Sequence, residues 1–263
     1  MHKNRRHRFI LQMLAEQKVV TVQEFTQALQ ASPATVRRDI SELATVFALK
    51  KVHGGAEVLG GVERPELNQL LFEYSDAINV TQKRAIAEHA VSLCEDGESI
   101  IINGGTTTFQ MVQFLESRQL QILTNSLPIA NHLLERSLNR IQLPGGEVYH
   151  NQHIVMSPFE DNTIKNYYAS KLFISAIAIN ANGLLENDPR LIHAEHKLMA
   201  QADQLVVLAD SSKFSQRGSL ISAPLDKVDL LITDDGIDAK SKKMLDDAGV
   251  ETLILKVAQT EAA

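Results

Sequence analysis

The sequence has a single cysteine, Cys94, and no long hydrophobic run. One cysteine excludes an internal disulfide and a cysteine-rich zinc site, and its place in an apolar helical stripe indicates ordinary core packing. The apolar stretches 172–179 and 205–209 end well short of the roughly 18 residues that a membrane span requires. The first eight residues are basic and polar, and no apolar stretch of signal-peptide length follows them. We therefore expect a cytoplasmic protein that does not associate with membranes.

The charge of the chain is unevenly distributed. The whole sequence holds 26 Lys+Arg and 32 Asp+Glu, whereas residues 1–60 alone hold 9 basic and 5 acidic residues, which leaves 17 and 27 for the remainder. A basic head can approach a polyphosphate, whereas an acidic body should face solvent, another subunit or a small ligand. With 263 residues and 44% hydrophobic content, the sequence predicts two domains with separate cores.

The head has the pattern of three short helices. Apolar residues at helical spacing between 9 and 14 predict a first helix over residues 5–17. Thr21 and Glu24 have the spacing of a capping box and predict a second helix over about 22–30. Ser32 followed by Pro33 is a good start for a third helix.

The third helix divides into an inner and an outer face. Val36, Ile40 and Leu43 fall on the inner face, and the outer face carries Ala34, Thr35, Arg37, Arg38, Ser41 and Glu42. A helix that enters a DNA major groove needs small or hydroxyl side chains near its start and arginines that reach bases or phosphates. Asp39, at the apolar boundary, is expected to orient a neighbouring arginine. Two short strands around the turn at His53, Gly54 and Gly55, with Lys50 and Lys51 on the first, predict a wing.

These motifs resemble the DNA-binding signature of the DeoR family of sugar-catabolism repressors. The resemblance rests on the stretch Ser32 to Ile40 and on Lys50 to Ala56. It departs from the family at Phe47, where a glycine is usual, and at the two lysines, which stand in place of arginines. The expected DNA-binding residues are Ser32, Thr35, Arg37, Arg38, Lys50, Lys51, His53 and Gly54, and the expected partner is double-stranded operator DNA.

The body alternates short apolar runs with segments of helical length, which predicts a mostly parallel sheet covered by helices on both faces. The predicted strands are 99–102, 120–123, 140–143, 171–179, 205–209, 228–233 and 251–255. The predicted helices are 83–94, 107–115, 127–136, 191–202 and 239–248. Ligands in such folds lie at the carboxyl ends of the strands.

Four polar loops follow predicted strands. The loop from Asn103 to Thr108 offers glycine amides and threonine hydroxyls at a helix N-terminus, an arrangement suited to an anion. It matches neither a Walker loop nor a dinucleotide fingerprint, and a tight turn with a threonine cap is an equally good interpretation. The other loops are 124–126, 144–146 and 210–214, and each is also compatible with an ordinary turn.

In order along the chain, these loops resemble the effector domain of the same family. That domain is similar in fold to ribose 5-phosphate isomerase, so the resemblance implies a sugar-phosphate effector, with no cofactor and no metal. The expected effector-binding residues are Asn103, Gly104, Gly105, Thr106, Thr107, Thr124, Asn125, Ser126, Gly145, Gly146, Glu195, Lys197, Asp210, Ser212, Lys213 and Lys83. Of these, Lys197 and Lys213 are the candidates for sensing the charge of the ligand.

Three details qualify the resemblance. Residues 175–180 lack the glycine and aspartate that are common in the family, although Asp188 lies nearby in sequence. The tract 151–158 resembles the ascorbate-utilisation branch of the family. Two histidine pairs, His150 with His153 and His193 with His196, have chelating spacing, but neither has a third ligand at suitable spacing, which favours exposed histidines over a metal site.

The sequence therefore predicts a non-enzymatic repressor of a carbohydrate-catabolism operon. We expect a winged helix-turn-helix over 1–58, a linker over 59–80, and an effector and oligomerisation domain over 81–257 that forms a dimer or tetramer. One alternative is a sugar-phosphate isomerase or deaminase with an accessory DNA-binding domain, in which Glu195 would be the base. Another, a head that binds protein, is disfavoured by its basic charge and outward arginines.

Overall fold

A computed structural model describes residues 3–17, 19–45, 49–57, 79–150, 152–157 and 163–257. Contacts divide the chain into two compact units, Met1–Ala77 and Ile78–Ala263. Most of the predicted linker, and Phe47, lie outside the described residues. The two units are called the head and the sensor unit below.

The head consists of three helices and a small antiparallel sheet. Its helices are α1 (Lys3–Gln17), α2 (Val22–Leu29) and α3 (Pro33–Thr45), and its strands are β1 (Val19–Thr21), β2 (Lys50–Val52) and β3 (Gly55–Glu57). The strand order is β1-β3-β2, so β3 pairs with both of its neighbours. The wing is therefore three-stranded, because a strand between α1 and α2, which the sequence analysis missed, joins the predicted hairpin.

The start of α2 confirms the predicted capping box. The Glu24 amide donates to Thr21 Oγ1, and Glu24 Oε2 accepts from the Thr21 amide. These two bonds satisfy backbone donors that the first helical turn would otherwise leave unpaired. Apolar side chains from all three helices and the strands then close one small core, which contains Ile10, Leu14, Val20, Phe25, Val36, Ile40, Leu49 and Ala56.

The sensor unit is built on a seven-stranded, all-parallel sheet in the order β15-β14-β12-β9-β4-β5-β6. Its strands are β4 (Ser99–Ile102), β5 (Gln121–Thr124), β6 (Arg140–Gln142), β9 (Ala169–Ile174), β12 (Ala202–Leu208), β14 (Leu230–Asp234) and β15 (Glu251–Leu255). The chain builds outward from β4 to β6 and then returns to β9 on the other side of β4. The order therefore reverses between β4 and β9, where open α/β sheets form their binding crevices.

Helices cover both faces of this sheet. They are α4 (Val80–Ser92), α5 (Thr106–Phe109), α6 (Val112–Leu115), α7 (Leu127–Arg136), α8 (Pro189–Met199) and α9 (Ala239–Asp247). Side chains alternate along a strand, so Ile100 and Ile102 pack in the core under α4, α6 and α7, whereas Ile101 belongs to the core under α8 and α9. This two-sided burial explains the consecutive apolar residues within these strands, such as Ile100 to Ile102.

Two predicted elements differ from the structure. The run predicted as one strand over 171–179 is two strands, β9 in the parallel sheet and β10 (Ala178–Asn180) in a separate antiparallel sheet with β11 (Gly183–Glu186) and β13 (Leu220–Ala223). The helix predicted over 107–115 is interrupted by a turn at Gln110 and Met111 between α5 and α6. The sequence analysis also missed a hairpin of β7 (Glu147–Tyr149) and β8 (Ile154–Met156).

In the described part of the chain, every helix is too short or too polar to span a lipid bilayer.

Candidate nucleic-acid interface and effector site

The third helix of the head presents the predicted basic face. Ser32 Oγ accepts a hydrogen bond from the Thr35 amide at 3.2 Å and lies 2.9 Å from Thr35 Oγ1, so it caps the start of α3. Val36 and Ile40 are buried in the head core, whereas Arg37 and Arg38 are exposed. This orientation leaves both guanidinium groups available to a partner of opposite charge.

Asp39 lies beneath this face and is fully buried. Its carboxylate accepts hydrogen bonds from Arg6 Nε at 2.7 Å and Arg6 Nη2 at 3.1 Å, and His7 Nε2 lies 3.1 Å away. Burial acts to raise the pKa of Asp39, but the hydrogen bonds and charge of Arg6 and His7 outweigh it and lower the pKa. The arginine that pairs with Asp39 is therefore Arg6 of α1.

The wing places its two lysines differently. Lys51 Nζ donates to Ser41 Oγ of α3 at 3.2 Å, and Lys50 Nζ lies 3.4 Å from Glu57 Oε2 on β3. Successive side chains of a strand point to opposite faces, so only Lys51 reaches the recognition helix. His53 and Gly54 form the exposed turn, and Gly54 has a φ of 81° that favours glycine.

In the sensor unit, the four predicted loops follow β4, β5, β6 and β12. All these strands are parallel, so their carboxyl ends lie along one edge of the sheet. The loop after β4 lies beside the strand reversal and contacts the residue that follows β9. The contact is close, since a Cβ atom added to Gly105 would lie 2.2 Å from Ser175 Oγ. The sequence therefore brings the four loops to the edge where ligands of such sheets bind.

The loops after β4 and β5 are joined by buried carboxamides. Asn125 Oδ1 accepts from the Gly104 amide at 2.8 Å, and Asn125 Nδ2 donates to Asn103 Oδ1 at 2.7 Å. Thr124 and Ser126 complete the turn, since Thr124 Oγ1 donates to the Ile102 carbonyl and accepts from the Ser126 amide. The amides of Gly104 and Ser126 and the hydroxyl of Thr124 thus make hydrogen bonds within the loops themselves.

Thr107 is the predicted residue most suited to a ligand. Its side chain is 1% exposed, and its Oγ1 has no hydrogen-bond partner among the described residues. The backbone amides of Gly105 and Thr107 likewise make no hydrogen bond to the described chain, while the neighbouring Thr106 is half-buried. Because α5 has a single turn, its dipole adds little to anion binding. The capacity of this loop for an anion depends on its amides and hydroxyls.

The loop after β12 is tied to the start of the sensor unit. Asp210 is 1% exposed, and its Oδ1 accepts from Asn79 Nδ2 at 2.7 Å and from the amide and hydroxyl of Ser212. The half-buried Lys213 follows in a 3-10 turn, Ser211–Phe214. Burial lowers the pKa of Lys213, and the negative charges of Asp210 and Glu186 oppose that shift.

Of two buried glutamates in this region, Glu186 interacts with this ammonium, and Glu195 interacts with Glu186. Burial raises the pKa of Glu195 to about 7, and the negative charge of Glu186 adds to that increase. Burial also raises the pKa of Glu186. Glu195 Oε1 accepts from Asn103 Nδ2 at 3.4 Å, and Glu195 Oε2 accepts from the Ser222 hydroxyl. The site therefore combines an anion-compatible loop with two buried carboxyl groups of raised pKa, one of which accepts hydrogen bonds from Asn103 and Ser222.

Other predicted residues have structural partners. Lys197 Nζ donates to the Ser157 carbonyl at 3.0 Å, and Lys83 is buried inside α4, which begins at Val80 and not at Lys83 as predicted. Gly146 has a φ of 151°, and an added Cβ atom would lie 2.2 Å from the Met156 carbonyl oxygen, whereas Gly145 faces open space.

Asp188 is also engaged in the structure. It caps α8 through the Arg190 amide, accepts from the Tyr149 hydroxyl at 2.9 Å and pairs with the Arg190 guanidinium. The hydrogen bonds from Arg190 are the main reason that its pKa falls to about 2.

The sequence analysis missed three residues near this edge, Asn79, Glu186 and Ser222. None of the three belongs to a sequence motif that indicated a site. Glu186 and Ser222 lie in strands of the antiparallel sheet, and Asn79 precedes the first helix of the unit. The one available signal for Glu186 was its position directly after Leu184 and Leu185, at the end of a strand, β11, that is buried at all four residues.

The histidine pairs lie at the surface of the sensor unit. His150, His193 and His196 are exposed, and His153 is half-buried. Among the described residues, three potential metal-binding side chains come within 4.8 Å of one another at His7, Asp39 and Glu42. Arg6 already pairs with the central carboxylate there, and a second cation beside a guanidinium would be repelled.

Together, the head and the sensor unit define a two-part regulator, with a winged helix-turn-helix joined to a parallel α/β unit. A family model described as DeoR-like helix-turn-helix domain matches residues 6–60, and one described as DeoR C terminal sensor domain matches residues 78–235. The chain belongs to the DeoR family of helix-turn-helix transcriptional regulators. This membership confirms the prediction from the sequence motifs, as the two units confirm the predicted fold class.

Curated relatives share nearly the full length of the chain. The HTH-type transcriptional regulator UlaR of Shigella dysenteriae serotype 1 is 35% identical over 254 residues, which cover 96% of this chain and 99% of the relative. The protein of the same name from Escherichia coli O1:K1 / APEC has the same identity and coverage.

Solved structures give more distant likenesses. Ribose 5-phosphate isomerase A from Methanocaldococcus jannaschii has a TM-score of 0.38 and 17% identity, and covers 50% of this chain and 53% of its own. The eIF2B beta structure from Chaetomium thermophilum has a TM-score of 0.41 and 15% identity, with coverage of 87% and 80%. These scores are too low to support a functional assignment.

Proposed function

We propose that this regulator represses a carbohydrate-catabolism operon and that a phosphorylated sugar or sugar acid controls its binding to operator DNA. We assign DNA binding to residues 1–58, the connection to 59–80, and effector binding with self-association to 81–257. A protein that acts on operator DNA in this way works in the cytoplasm. The observation that carries the effector proposal is the buried Thr107 hydroxyl, in a glycine loop at the strand reversal, which has no hydrogen-bond partner within the described part of the chain.

The site suits a ligand with an anionic end and hydroxyl groups. The amides of Gly105 and Thr107 and the Thr107 hydroxyl are donors for phosphate oxygens, and Lys213 supplies a positive charge. The carboxyl groups of Glu186 and Glu195 are acceptors for sugar hydroxyls. A neutral polyol would leave the donors unmatched, and inorganic phosphate alone would leave the acceptors unmatched.

The head suits the major groove of DNA. Arg37 and Arg38 are exposed on α3 beside the capped Thr35, and Lys51 extends the basic surface from the wing. Arginine can fork onto guanine or phosphate, whereas lysine contacts phosphate as a point charge. A homo-oligomer would present two such helices, so we expect an operator with two half-sites whose spacing matches the assembly.

Coupling between ligand and DNA requires that the effector bind one arrangement of the protein more tightly than another. The contact between Asn79 and Asp210 supports a route for this coupling. Asp210 belongs to a predicted effector loop, and Asn79 directly follows the chain segment that leads from the head. A ligand that drew Asp210 or Lys213 toward itself would change the position of the hydrogen bond between Asp210 and Asn79.

The DNA half of the proposal is tested by operator binding of the full-length protein at several salt concentrations. We expect specific binding that weakens steeply as the salt concentration rises. Arg38→Ala should abolish this specific binding. The matched control is Arg136→Ala, which removes an exposed arginine of the sensor unit and should leave binding unchanged. Binding that is insensitive to salt and to Arg38→Ala would contradict the proposal.

The effector half is tested by a thermal-shift screen of phosphorylated sugars and sugar acids. A true ligand raises the apparent stability by mass action, and it should change the operator affinity at the same concentration. A sugar that binds tightly without any effect on operator binding would contradict the control mechanism.

A second candidate function is aldose isomerisation, and one observation favours it. The raised pKa of Glu195, about 7, is suited to a general base at neutral pH. An isomerase assay with ribose 5-phosphate distinguishes the two functions. Turnover that Glu195→Gln abolishes would establish the enzyme, whereas the regulator proposal expects no turnover.

A further inference from the structure

Four buried polar side chains form a continuous line of hydrogen bonds at the effector edge. The Ser222 hydroxyl donates to Glu195, Asn103 Nδ2 donates to Glu195 at 3.4 Å, Asn125 Nδ2 donates to Asn103 at 2.7 Å, and Asn125 Oδ1 accepts from the Gly104 amide at 2.8 Å. All four side chains are at least 93% buried. The line therefore crosses from the antiparallel sheet, through α8, to the glycine loop after β4.

The chemistry of the groups fixes the direction of the three bonds that lead from the Gly104 amide to Glu195. The Gly104 amide can only donate, so Asn125 must turn its Oδ1 toward it and its Nδ2 toward Asn103. Asn103 must then present Oδ1 to Asn125, which directs its own Nδ2 at Glu195. Flipping one carboxamide would place donor against donor or acceptor against acceptor, so the donor at Gly104 and the acceptor at Glu195 together hold both asparagines in one orientation.

We propose that Glu195 and Ser222 are positioning residues that hold the glycine loop in its ligand-accepting shape, and that Glu195 acts through its hydrogen bonds and not through its charge. The inference rests on the proposed effector function, because it deepens the role of the same loop. Fixing Gly104 to Asn125 leaves Gly105 and Thr107 as the donors that meet the anion. Glu195 then acts on the Gly104 amide indirectly, through Asn103 and then Asn125.

The conservative variant separates these roles. In Glu195→Gln, the side-chain oxygen still accepts from Asn103, and the new amide can donate to the Ser222 hydroxyl, which is able to accept. In Glu195→Met, a side chain of similar length has no group to accept from Asn103, and the buried Asn103 amide loses its partner. The two variants differ in hydrogen bonding, but both remove the charge.

The test uses the full-length protein without ligand and follows the amide proton of Gly104 by NMR at pH 8. We expect the hydrogen-bonded, downfield shift of this proton to be kept in Glu195→Gln and lost in Glu195→Met. Ser222→Ala, which removes one hydroxyl and is the milder variant if Glu195→Met fails to fold, should move the same proton partway. Circular dichroism establishes that each variant is folded.

The same variants are then titrated with ribose 5-phosphate. We expect Glu195→Gln, whose amide oxygen can still accept from Asn103 and from a sugar hydroxyl, to lose much less affinity than Glu195→Met, which should bind roughly tenfold more weakly than the wild type, the equivalent of one lost hydrogen bond. An unchanged Gly104 proton in Glu195→Met, or equal losses in the Gln and Met variants, would overturn the positioning role. Absence of ribose 5-phosphate binding in the wild type, with the expected Gly104 shifts, would count against the proposed effector class and leave the positioning role supported.

Discussion

Asn79 donates a hydrogen bond from Nδ2 to Oδ1 of Asp210 at 2.7 Å, across 131 residues of sequence. Asn79 has a left-handed backbone conformation, with φ of 52°, immediately before α4. Asparagine tolerates this conformation better than most residues. The residue where the sensor unit begins is thus held directly by a loop in which we expect the effector to bind.

We predict that Asn79→Ala separates ligand binding from control of DNA binding. The variant lacks the hydrogen bond to Asp210, but it keeps the effector loops, so a phosphorylated sugar that shifts the thermal unfolding of the wild type should still bind. Its effect on operator affinity should shrink, because coupling free energy depends on contacts that differ between the two states. Operator binding with and without that sugar measures the coupling.

Asn182→Ala is the matched control for this prediction, since Asn182 is exposed in the same unit. It should keep the full response to the sugar. An Asn79→Ala protein whose operator affinity still responds as strongly as the wild type would show that coupling does not pass through this contact.

We predict that Asp39→Asn destabilises the head. The fully buried carboxylate pairs with Arg6, whose side chain is only 12% exposed, and Asp39→Asn removes the negative charge that lies nearest to this guanidinium. The expected loss in free energy of unfolding is about 3 kcal/mol. Hydrogen exchange of the amides in α1 and α3 reports this loss for the head alone.

Glu57→Gln provides the comparison, because its pair with Lys50 is exposed, at 37% and 60% for the two side chains. An exposed pair contributes about 0–1 kcal/mol, so exchange in the head should hardly change. Equal effects of the two substitutions would mean that the Asp39 pair contributes no more than a surface pair.

The sequence predicted those helix starts and strands that depend on residues close together in the chain. The capping box at Thr21 and Glu24 and the N-cap at Ser32 involve residues three positions apart, so the pattern alone indicates them. The apolar runs likewise indicated the buried parallel strands, because burial on both faces leaves a continuous hydrophobic pattern.

Relationships between distant residues could not be predicted in this way. The run 171–179 is apolar except for Lys171 and Ser175, and only the pairing of its second half with β11 shows that it changes sheet. Arg6 with Asp39, and Ser222 with Glu195, are brought together by packing of elements far apart in sequence. For the site, the sequence indicated the loops but not the hydrogen bonds that link them.

We predict that the two glycines after β6 respond differently to alanine. Gly146→Ala places a Cβ atom 2.2 Å from a backbone carbonyl oxygen at a φ of 151°, so it should destabilise the sensor unit by about 2 kcal/mol or more. Gly145→Ala projects into open space and should leave the unfolding free energy nearly unchanged. Chemical denaturation of both variants, followed by circular dichroism, measures the difference.

Ligand titration of the Gly145 variant adds information on the site. Weaker sugar binding with unchanged stability would indicate a ligand contact at Gly145. Equal stability of the two variants would contradict the packing role of Gly146.

The last prediction concerns the pH dependence of stability. Burial raises the pKa of Glu195 from 4.5 to about 7, so the folded state binds a proton more tightly than the unfolded state between these values. The stabilisation from this proton is fully present below pH 4.5 and is lost as pH rises through 7. Its full size is about 3 kcal/mol, since one pKa unit corresponds to about 1.4 kcal/mol. In Glu195→Gln this contribution is absent, so the variant should gain stability relative to the wild type between pH 5 and pH 8.

Glu98→Gln is the control with the opposite sign. Burial acts to raise the pKa of Glu98, but hydrogen bonds from Lys171 and Ser170 outweigh it and lower the pKa. The Glu98 carboxylate therefore stabilises the folded state at pH values above the pKa of an unfolded glutamate. This stabilisation is lost as the pH falls below that value. Glu98→Gln should destabilise the protein by the same amount at pH 5.5 and pH 8, because the carboxylate is ionised in both states across this range. If the difference between Glu195→Gln and the wild type were equally flat from pH 5 to pH 8, the buried carboxyl would have to titrate normally, and the basis for a general-base role of Glu195 would be lost as well.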